Sequence, residues 1–368
     1  MKIDDKTSHN SPSLRFPEFT GEWERCVLGD VLEFSNTRIN SSELNSGNYV
    51  STENILQNFQ GIVKARSIPK DTNVMAFSCG NILLSNIRPY LKKVWKATFN
   101  GGCSSDVFVL QANSNIDADY LHYVVANDKF IGFVMNGAKG VKMPRGDKNQ
   151  MKTYSLSLPS IKEQRKISRF LSFLDERIAV QNRLIDRLQS LMIGIAQKIA
   201  HSNKPNVRIS DCLECSSSAL QESEVNKTGK YPVYGANGIV GYIDKYHTQN
   251  EAIYIIKDGS GVGGVSYVTG KCSSTGTLNI LQAKNGHSLK YLYYLLKVFN
   301  FVPYKTGMAI PHIYFKDYGK AKIFCPAYPE QLEYAKLLSS IDGNLRIALD
   351  SLKNFNLQKQ YLLRHMLI

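Results

Sequence analysis

Two basic stretches in the first half of the chain combine the side chains that proteins use to read DNA. Residues 85–93 offer a hydroxyl, an amide, a guanidinium, a phenol and two ammonium groups around a proline, at Ser85, Asn86, Arg88, Tyr90, Lys92 and Lys93. Residues 139–145 add Lys139, Lys142 and Arg145. Arg can pair with guanine edges, Asn with adenine, and Lys with phosphates. We therefore predict two DNA-binding loops, with a solvated basic turn as the alternative for each residue taken singly.

The second half of the chain carries a comparable set. Turn-forming stretches there contain Tyr234 and Asn237, Lys257 and Ser260, and Lys305 and Thr306. Over the whole chain 45 Lys and Arg outnumber 31 Asp and Glu, which gives a net charge of +14. Such a surplus concerns association with polyanions rather than fold. Nucleic acid is thus the predicted partner, and a generally basic surface is the alternative.

A glycine-rich stretch at 259–264 matches the dinucleotide-binding pattern G-x-G-x-x-G. In nucleotide-binding proteins this pattern holds a pyrophosphate at the N-terminus of the helix that follows. Here the next residues, 265–268, have the composition of a strand. We therefore predict a glycine hairpin without a bound nucleotide.

No other motif assembles a catalytic or metal site in the sequence. Residues 86–90 resemble the Asn-Pro-Pro-Tyr loop of amino-methyltransferases but contain an extra residue. Cys212 and Cys215 lack a second ligand pair at zinc-finger spacing, and the histidines form no spaced cluster. The seven cysteines are scattered and odd in number, which favours free thiols in a reducing compartment. We predict a chain without catalytic residues, cofactor or metal.

Two long helices are predicted to position the loops. Apolar residues recur at alternating spacings of four and three in two stretches that share one phase. The first stretch contains Ile167, Leu171, Leu174, Ile178, Ile185, Leu188, Met192, Ile195 and Ile199, interrupted by Gln181. The second contains Tyr334, Leu338, Ile341, Leu345, Ala348, Leu352, Phe355, Leu362 and Met366, interrupted by Lys359. A period of about 3.5 residues sustained over several heptads predicts a coiled coil with these residues in its seam.

The remainder of the chain is also written twice. Residues 28–33 match 209–214, 103–105 match 272–274, 109–112 match 280–283, and 120–123 match 291–294. Pro159 and Pro326 precede the similar pairs at 163–164 and 330–331. Since the first helix must carry the chain from one module to the next and the second must return, we predict an antiparallel pair with pseudo-twofold symmetry.

The predicted fold class is α+β, with two tandem globular modules separated by the coiled coil. The modules are residues 1–158, including a leader at about 1–20, and 202–325, and the helices are 159–201 and 326–368. Strand-like runs at 81–85, 93–98 and 107–111 precede a helix at 118–127, and runs at 252–257, 264–269 and 277–282 precede a helix at 289–299. Ser160 with Glu163 predicts a capping box, and Pro329 a first-turn proline.

Composition indicates a cytoplasmic protein. The chain contains no run of eighteen apolar residues, and residues 1–11 lack the apolar stretch of a signal peptide. Its 43% hydrophobic residues are enough to give each of two modules a core.

Three segments resemble one protein family. They are the opening at 14–19, the helix start formed by Pro159, Glu163 and Gln164, and the stretch 231–238. Together with the duplication, they are similar to the specificity subunit of bacterial type I restriction-modification systems. The chain departs from that pattern at 329–331, where the proline lies closer to the acid, and at Lys359 in the seam.

The resemblance implies a non-catalytic subunit whose two target-recognition domains each read half of a split double-stranded DNA sequence. It implies helices that set the spacer and dock two modification subunits, which carry S-adenosylmethionine and methylate adenine N6. Restriction subunits, which translocate DNA using ATP and Mg²⁺, would join them. The outer helix faces could supply the docking surface, with Lys162, Arg165, Arg169, Arg177 and Arg183. The alternatives are a stand-alone regulator of a bipartite operator and a scaffold protein.

Overall fold

The computed structural model describes residues 11–367, which divide into two compact units. The first unit contains the residues up to Val180 and those from Leu352 onward, and the second contains Gln181–Ser351. Each unit therefore holds one globular module and part of both long helices. Residues 1–10 of the predicted leader lie outside the described residues.

The module of the first unit contains ten strands and four short helices among its described residues. The strands are β1 (Glu24–Val27), β2 (Leu32–Phe34), β3 (Arg38–Asn40), β4 (Tyr49–Val50), β5 (Asn73–Phe77), β6 (Ile82–Ser85), β7 (Val94–Lys96), β8 (Gly101–Cys103), β9 (Val107–Ala112) and β10 (Ser155–Leu158). The helices are α1 (Leu28–Val31), α2 (Ala118–Val125), α3 (Asp128–Asn136) and α4 (Lys148–Lys152), and the long helix α5 (Ile161–Ala200) follows.

Two four-stranded sheets form the frame of this module. One has the antiparallel order β2-β9-β6-β7, and the other has the order β3-β5-β8-β4 with a parallel β4–β8 pair. Apolar side chains of β6 and β9 pack against α2 and α3, where Tyr120, Leu121 and Phe130 are at most 1% exposed. The predicted strands and the following helix are therefore present, with ends shifted by a few residues.

The second unit repeats the main sheet. Its strands are β11 (Val207–Arg208), β12 (Leu213–Ser217), β13 (Tyr231–Gly235), β14 (Gly238–Ile243), β15 (Glu251–Ile256), β16 (Val265–Thr269), β17 (Ser273–Ser274), β18 (Leu278–Ala283) and β19 (Lys322–Ile323). Its helices are α6 (Ile209–Cys212), α7 (Leu289–Val298), α8 (Phe315–Tyr318) and the long α9 (Tyr328–Met366). The order β12-β18-β15-β16 corresponds strand for strand to β2-β9-β6-β7.

The glycine-rich stretch joins β15 to β16, which are antiparallel neighbours. The Gly263 amide donates to the Ile256 carbonyl over 2.9 Å, and the Ile256 amide donates to the Gly264 carbonyl over 2.9 Å. The prediction of a hairpin is therefore confirmed.

In the first unit, the beginning of α5 packs against the end of α9. Ile167 and Leu171 share a core cluster with Met366, and Lys359 forms an ion pair with Asp175. Because early residues of one helix contact late residues of the other, the two segments are antiparallel. Lys359, which interrupts the heptad pattern, is thus held by a carboxylate of the facing helix.

In the second unit, the other interruption has a similar explanation. The Gln181 side-chain amide donates to the Ala348 backbone carbonyl over 2.9 Å. The residues that the heptad pattern places in the seam are buried or half-buried in both units.

The two helix starts share a buried glutamine. The Gln164 side chain accepts from the Asp117 amide over 2.8 Å and donates to the Pro159 carbonyl over 2.9 Å. The Gln331 side chain accepts from the Ser288 amide over 2.9 Å and donates to the Pro326 carbonyl over 2.8 Å. Each glutamine joins the start of a long helix to the start of a module helix, which is α2 in the first unit and α7 in the second.

The predicted capping box at Ser160 is only half formed. The Glu163 amide reaches the Ser160 hydroxyl at 3.4 Å. The Glu163 carboxylate, which is 1% exposed, accepts two hydrogen bonds from the Arg15 guanidinium at 2.7 and 2.8 Å. A buried carboxylate requires a charged partner more than a helix end requires a second cap, so the acid pairs with the N-terminal segment.

Pro329 lies in the first turn of α9, as predicted. Among residues 11–367, no helix is both long enough and apolar enough to span a membrane.

Candidate nucleic-acid interface

The two basic loops of the first module are joined by backbone hydrogen bonds. The Arg88 amide donates to the Pro144 carbonyl over 2.8 Å, and the Gly146 amide donates to the Asn86 carbonyl over 3.1 Å. Within the second loop, Lys139 and Arg145 exchange two backbone hydrogen bonds of 2.9 Å. The two predicted loops therefore form one surface, which we call the first loop pair (residues 85–93 and 138–146).

The backbone around Arg88 is strained in a way that presents its side chain. Arg88 and Lys92 have φ of 52° and 54°, on either side of the short turn Pro89–Leu91. Left-handed backbone is uncommon for residues other than glycine and is found disproportionately at functional sites. The Arg88 side chain is exposed, and Tyr90 beside it is 48% exposed. A guanidinium and a phenol thus face solvent together.

Three cations of the first loop pair lie beside carboxylates. Lys92 pairs with Asp128 at 2.7 Å, Arg145 with Asp106 at 3.2 Å, and Lys139 with Asp147 at 2.7 Å. The hydrogen bond between the last two groups raises the pKa of Lys139 and lowers the pKa of Asp147. These side chains are at least partly exposed, so a polyanion can compete with their partners.

Three predicted contact residues face the interior of the protein. Ser85 is 2% exposed and its hydroxyl donates to the Ile87 carbonyl at 3.0 Å. The Oδ1 atom of Asn86 is buried and has no hydrogen-bond partner among the described residues. Lys93 donates to the Thr52 carbonyl, and burial lowers its pKa. The placement of Ser85 disagrees with direct DNA contact, because Ser85 is the last residue of β6 and lies in the core. Asn86 and Lys93 follow the strand and are half-buried.

The second module builds the same frame with different residues. The Gly259 amide donates to the Pro311 carbonyl over 2.9 Å, and the Ile313 amide donates to the Lys257 carbonyl over 2.9 Å. Thr306 and His312 exchange backbone hydrogen bonds of 2.9 and 2.8 Å. We call this surface the second loop pair (residues 257–263 and 305–313). It includes four residues that the sequence analysis proposed, Lys257, Ser260, Lys305 and Thr306.

Residues 308–312 are part of this surface but were missed in the sequence. Met308 and Ile310 are 106% and 66% exposed, and His312 occupies the place that Arg145 has in the first loop pair. The sequence did contain a sign that this stretch corresponds to the second basic loop. Gly307 and Pro311 have the same spacing as Gly140 and Pro144. The stretch contains no Lys or Arg, so a search for basic loops did not find it.

The remaining predicted pair, Tyr234 and Asn237, lies on the β14-β13-β17 sheet. Asn237 is exposed in the turn between β13 and β14. The Tyr234 ring is half-buried and packs edge-on against Tyr254, with centroids 5.8 Å apart. Tyr234 therefore packs against the core of the module while remaining partly exposed.

The structure contains one cluster that was not found in the sequence, where the histidines show no spaced cluster and Cys212 was weighed only with Cys215. The ligand atoms of Cys212, His287 and Cys325 all lie within 4.8 Å of one another. Cys215, which the sequence pairs with Cys212, is outside this group. Spacing along the chain could not reveal the cluster, because its members come from three distant elements.

A family model described as the type I restriction modification DNA specificity domain matches residues 20–190 and again residues 202–354. The chain belongs to this family. The two matches cover both modules, so the duplication in the sequence is a duplication of the family's domain.

The specificity subunit of the type I restriction enzyme EcoDI from Escherichia coli is 29% identical over 126 residues, 33% of this chain and 28% of that protein. A putative type I specificity subunit of Mycoplasma pneumoniae is 23% identical over 278 residues, 70% of this chain and 71% of that protein. The chain matches less than one third of the length of several of its relatives.

Two solved structures have the same fold. The S subunit of a type I restriction-modification system from M. genitalium has a TM-score of 0.69 at 17% identity and covers 97% of this chain and 99% of its own. A chain from a structural study of assembly and conformational transition in a type I R-M system has a TM-score of 0.54 at 17% identity, with coverages of 93% and 96%. This specificity-family chain therefore has the tandem-domain fold of those proteins.

Proposed function

We propose that this chain is the DNA-specificity subunit of a type I restriction-modification complex, with each module reading one half of a split double-stranded target. One observation carries the proposal. The two loop pairs have the same backbone frame, but Lys139 and Arg145 in one are replaced by Thr306 and His312 in the other. Two sites with one frame and different side chains are suited to reading two different half-sites.

The chemistry would belong to other subunits. Two modification subunits would supply S-adenosylmethionine and methylate adenine, and restriction subunits would use ATP and Mg²⁺. The exposed basic residues of α5 would help to dock the modification subunits, at Lys162, Arg165, Arg169, Arg177 and Arg183. Such a complex acts on chromosomal and invading DNA, which supports a cytoplasmic location.

The first loop pair can separate base contacts from phosphate contacts. Arg88→Ala should weaken binding of the cognate half-site by about 1 to 3 kcal/mol and relax sequence preference at one position. Lys142→Ala removes an exposed ammonium, so binding to all sequences should weaken similarly and the salt slope should fall by about one. Binding would be measured on randomised half-sites with this chain assembled with its methyltransferase partner.

A matched control is Ser260→Ala in the second loop pair, which should leave preference at the first half-site unaltered. If Arg88→Ala keeps the sequence preference of the wild-type complex, base reading by the first loop pair is excluded. If the assembled complex shows no sequence preference at all, the proposed function itself is wrong.

A further inference from the structure

Cys212, His287 and Cys325 form a compact group in the second module. We call the place where they meet the base of that module. Cys212 is the last residue of α6, His287 lies in the turn before α7, and Cys325 lies between β19 and α9. Their Sγ atoms and a ring nitrogen are mutually within 4.8 Å, with both cysteines buried and the histidine half-buried. The group therefore joins three separate elements of one unit.

The backbone holds these three residues in place by itself. The Lys284 amide donates to the Cys212 carbonyl over 2.9 Å, and the His287 amide donates to the Lys284 carbonyl over 3.1 Å. The Asn206 side chain brackets Cys325, accepting from its amide and donating to its carbonyl at 2.8 Å each. Hydrogen bonds to their backbone groups thus help to fix the positions of all three residues.

One nitrogen of the histidine ring lies against the backbone. The Nδ1 atom of His287 is 3.2 Å from the Asn285 carbonyl oxygen, which can only accept. In the tautomer that carries its proton on Nδ1, this hydrogen bond forms and Nε2 has the lone pair. A ring nitrogen that donates to a backbone carbonyl while the other coordinates is the usual arrangement around protein-bound zinc.

The first module has apolar residues at the three equivalent positions. The Asn113 amide donates to the Val31 carbonyl over 2.9 Å, and the Ile116 amide donates to the Asn113 carbonyl over 3.4 Å. Val31 and Ile116 therefore correspond to Cys212 and His287. Leu158 precedes Pro159 as Cys325 precedes Pro326, so the three equivalent residues are all apolar and pack in one core cluster.

We propose that Cys212, His287 and Cys325 bind a Zn²⁺ ion that fastens the base of the second module. Tetrahedral zinc, with bonds of about 2.3 Å to sulfur and about 2.0 Å to nitrogen, requires ligand atoms roughly 3.3 to 3.8 Å apart. The observed group, whose ligand atoms lie within 4.8 Å of one another, would close to that spacing around the ion. The two thiols lose their protons to solvent on binding, and two thiolates neutralise the ion, which suits a buried site. Water completes the fourth position.

The zinc site is independent of DNA recognition. Its ion has a structural role. In the first module, burial of three apolar side chains ties α1, the turn before α2 and β10 together. In the second module, coordination bonds would tie α6, the turn before α7 and the lead into α9. The two halves of one duplicated fold would thus use two different means at the same place.

The test is cobalt and zinc titration of the full-length protein after complete reduction and removal of metal. We expect one Co²⁺ per chain to produce thiolate-to-metal absorption in the near ultraviolet and the visible bands of a tetrahedral site, both abolished by one Zn²⁺. His287→Ala should abolish the visible bands or weaken Co²⁺ binding at least tenfold. The variant Cys212→Val, His287→Ile, Cys325→Leu, which installs the first module's residues, should bind no cobalt and still fold.

Cys215→Ser and Cys79→Ser are matched controls, because each removes a thiol outside the proposed site. Both variants should retain the wild-type spectrum. Zn²⁺ should raise the unfolding temperature of the wild-type protein and leave that of the triple variant unchanged. Absence of cobalt bands in the fully reduced wild-type protein would overturn the proposal. So would an identical spectrum from the triple variant, which would place the metal elsewhere.

Discussion

The first and second modules share the frame of the main sheet but differ in the side chains of their loop pairs and in the residues at the positions of Cys212, His287 and Cys325. Both have the same order of strands in the main sheet, and both tie a long helix to a module helix through one buried glutamine. Both present a pair of loops bridged by the same backbone hydrogen bonds. The backbone of these shared parts is thus alike in both modules, while their side chains differ, and the second sheet has four strands in one module and three in the other.

Divergence is not limited to the two loop pairs. His122 of α2 corresponds to Tyr293 of α7, and Tyr123 donates to Asp175 where Tyr294 donates to Ser339. These differences lie where the module helix meets a long helix. Each module therefore contacts its long helix through different side chains, and that difference can be tested.

The largest expected effect comes from what the modules share. Gln164→Leu leaves the Asp117 amide and the Pro159 carbonyl buried without their partner, and Gln331→Leu does the same in the second module. Each change should reduce the free energy of unfolding by about 2 to 4 kcal/mol, measured by chemical denaturation. Similar losses for the two variants are expected. A loss in only one would show that the glutamines are not equivalent.

A smaller effect should distinguish the modules by pH. Burial, with a smaller contribution from Lys359, lowers the pKa of His122 from 6.5 to about 4, and its Nδ1 atom has no partner among the described residues. Asp175 opposes this shift, Lys96 adds to it, and Asp119 opposes it. Between pH 6.5 and 4 the unfolded chain binds a proton that the folded chain does not. Stability should therefore fall as pH falls through that window.

His122→Tyr, which installs the residue of the second module, should remove roughly 1 to 2 kcal/mol of the stability lost between pH 7 and 4.5. Thermal unfolding across this range would measure the difference. His201→Gln is a suitable control, because that histidine is exposed at the end of α5 and should leave the profile unaltered. A profile for His122→Tyr that parallels the wild type would contradict the assignment.

The smallest effect concerns one exposed cation. Lys139→Thr gives the first loop pair the residue that the second has at this place. Because Lys139 and Asp147 are on the surface, thermal unfolding should be nearly unchanged. Affinity of the assembled complex for DNA should become less salt-dependent, with a slope reduced by about one. An unchanged slope would mean that Lys139 contacts no phosphate.

The candidate site was only partly predictable from the sequence. Residue type and turn chemistry identified Arg88, Lys142 and Lys305 as exposed loop cations. They also selected Ser85 and Lys93, which the fold turns inward or ties to the backbone. Residues of the same types lie before and after the end of a strand. Which of them reach solvent depends on how the sheet packs.

The sequence by itself determined the duplication, the two long helices and three of the strands before each module helix, because each depends on periodicity or spacing that the residues show directly. Even the two interruptions of the heptads could be located, although not their partners. Tertiary structure decided the rest. It brought residues 307–312 beside the Lys257 loop and brought together two cysteines and a histidine from three elements. It also paired the Glu163 carboxylate with Arg15, where the sequence had predicted a capping box with Ser160. Such contacts join residues far apart in the chain, and no local pattern specifies which distant surface a side chain will meet.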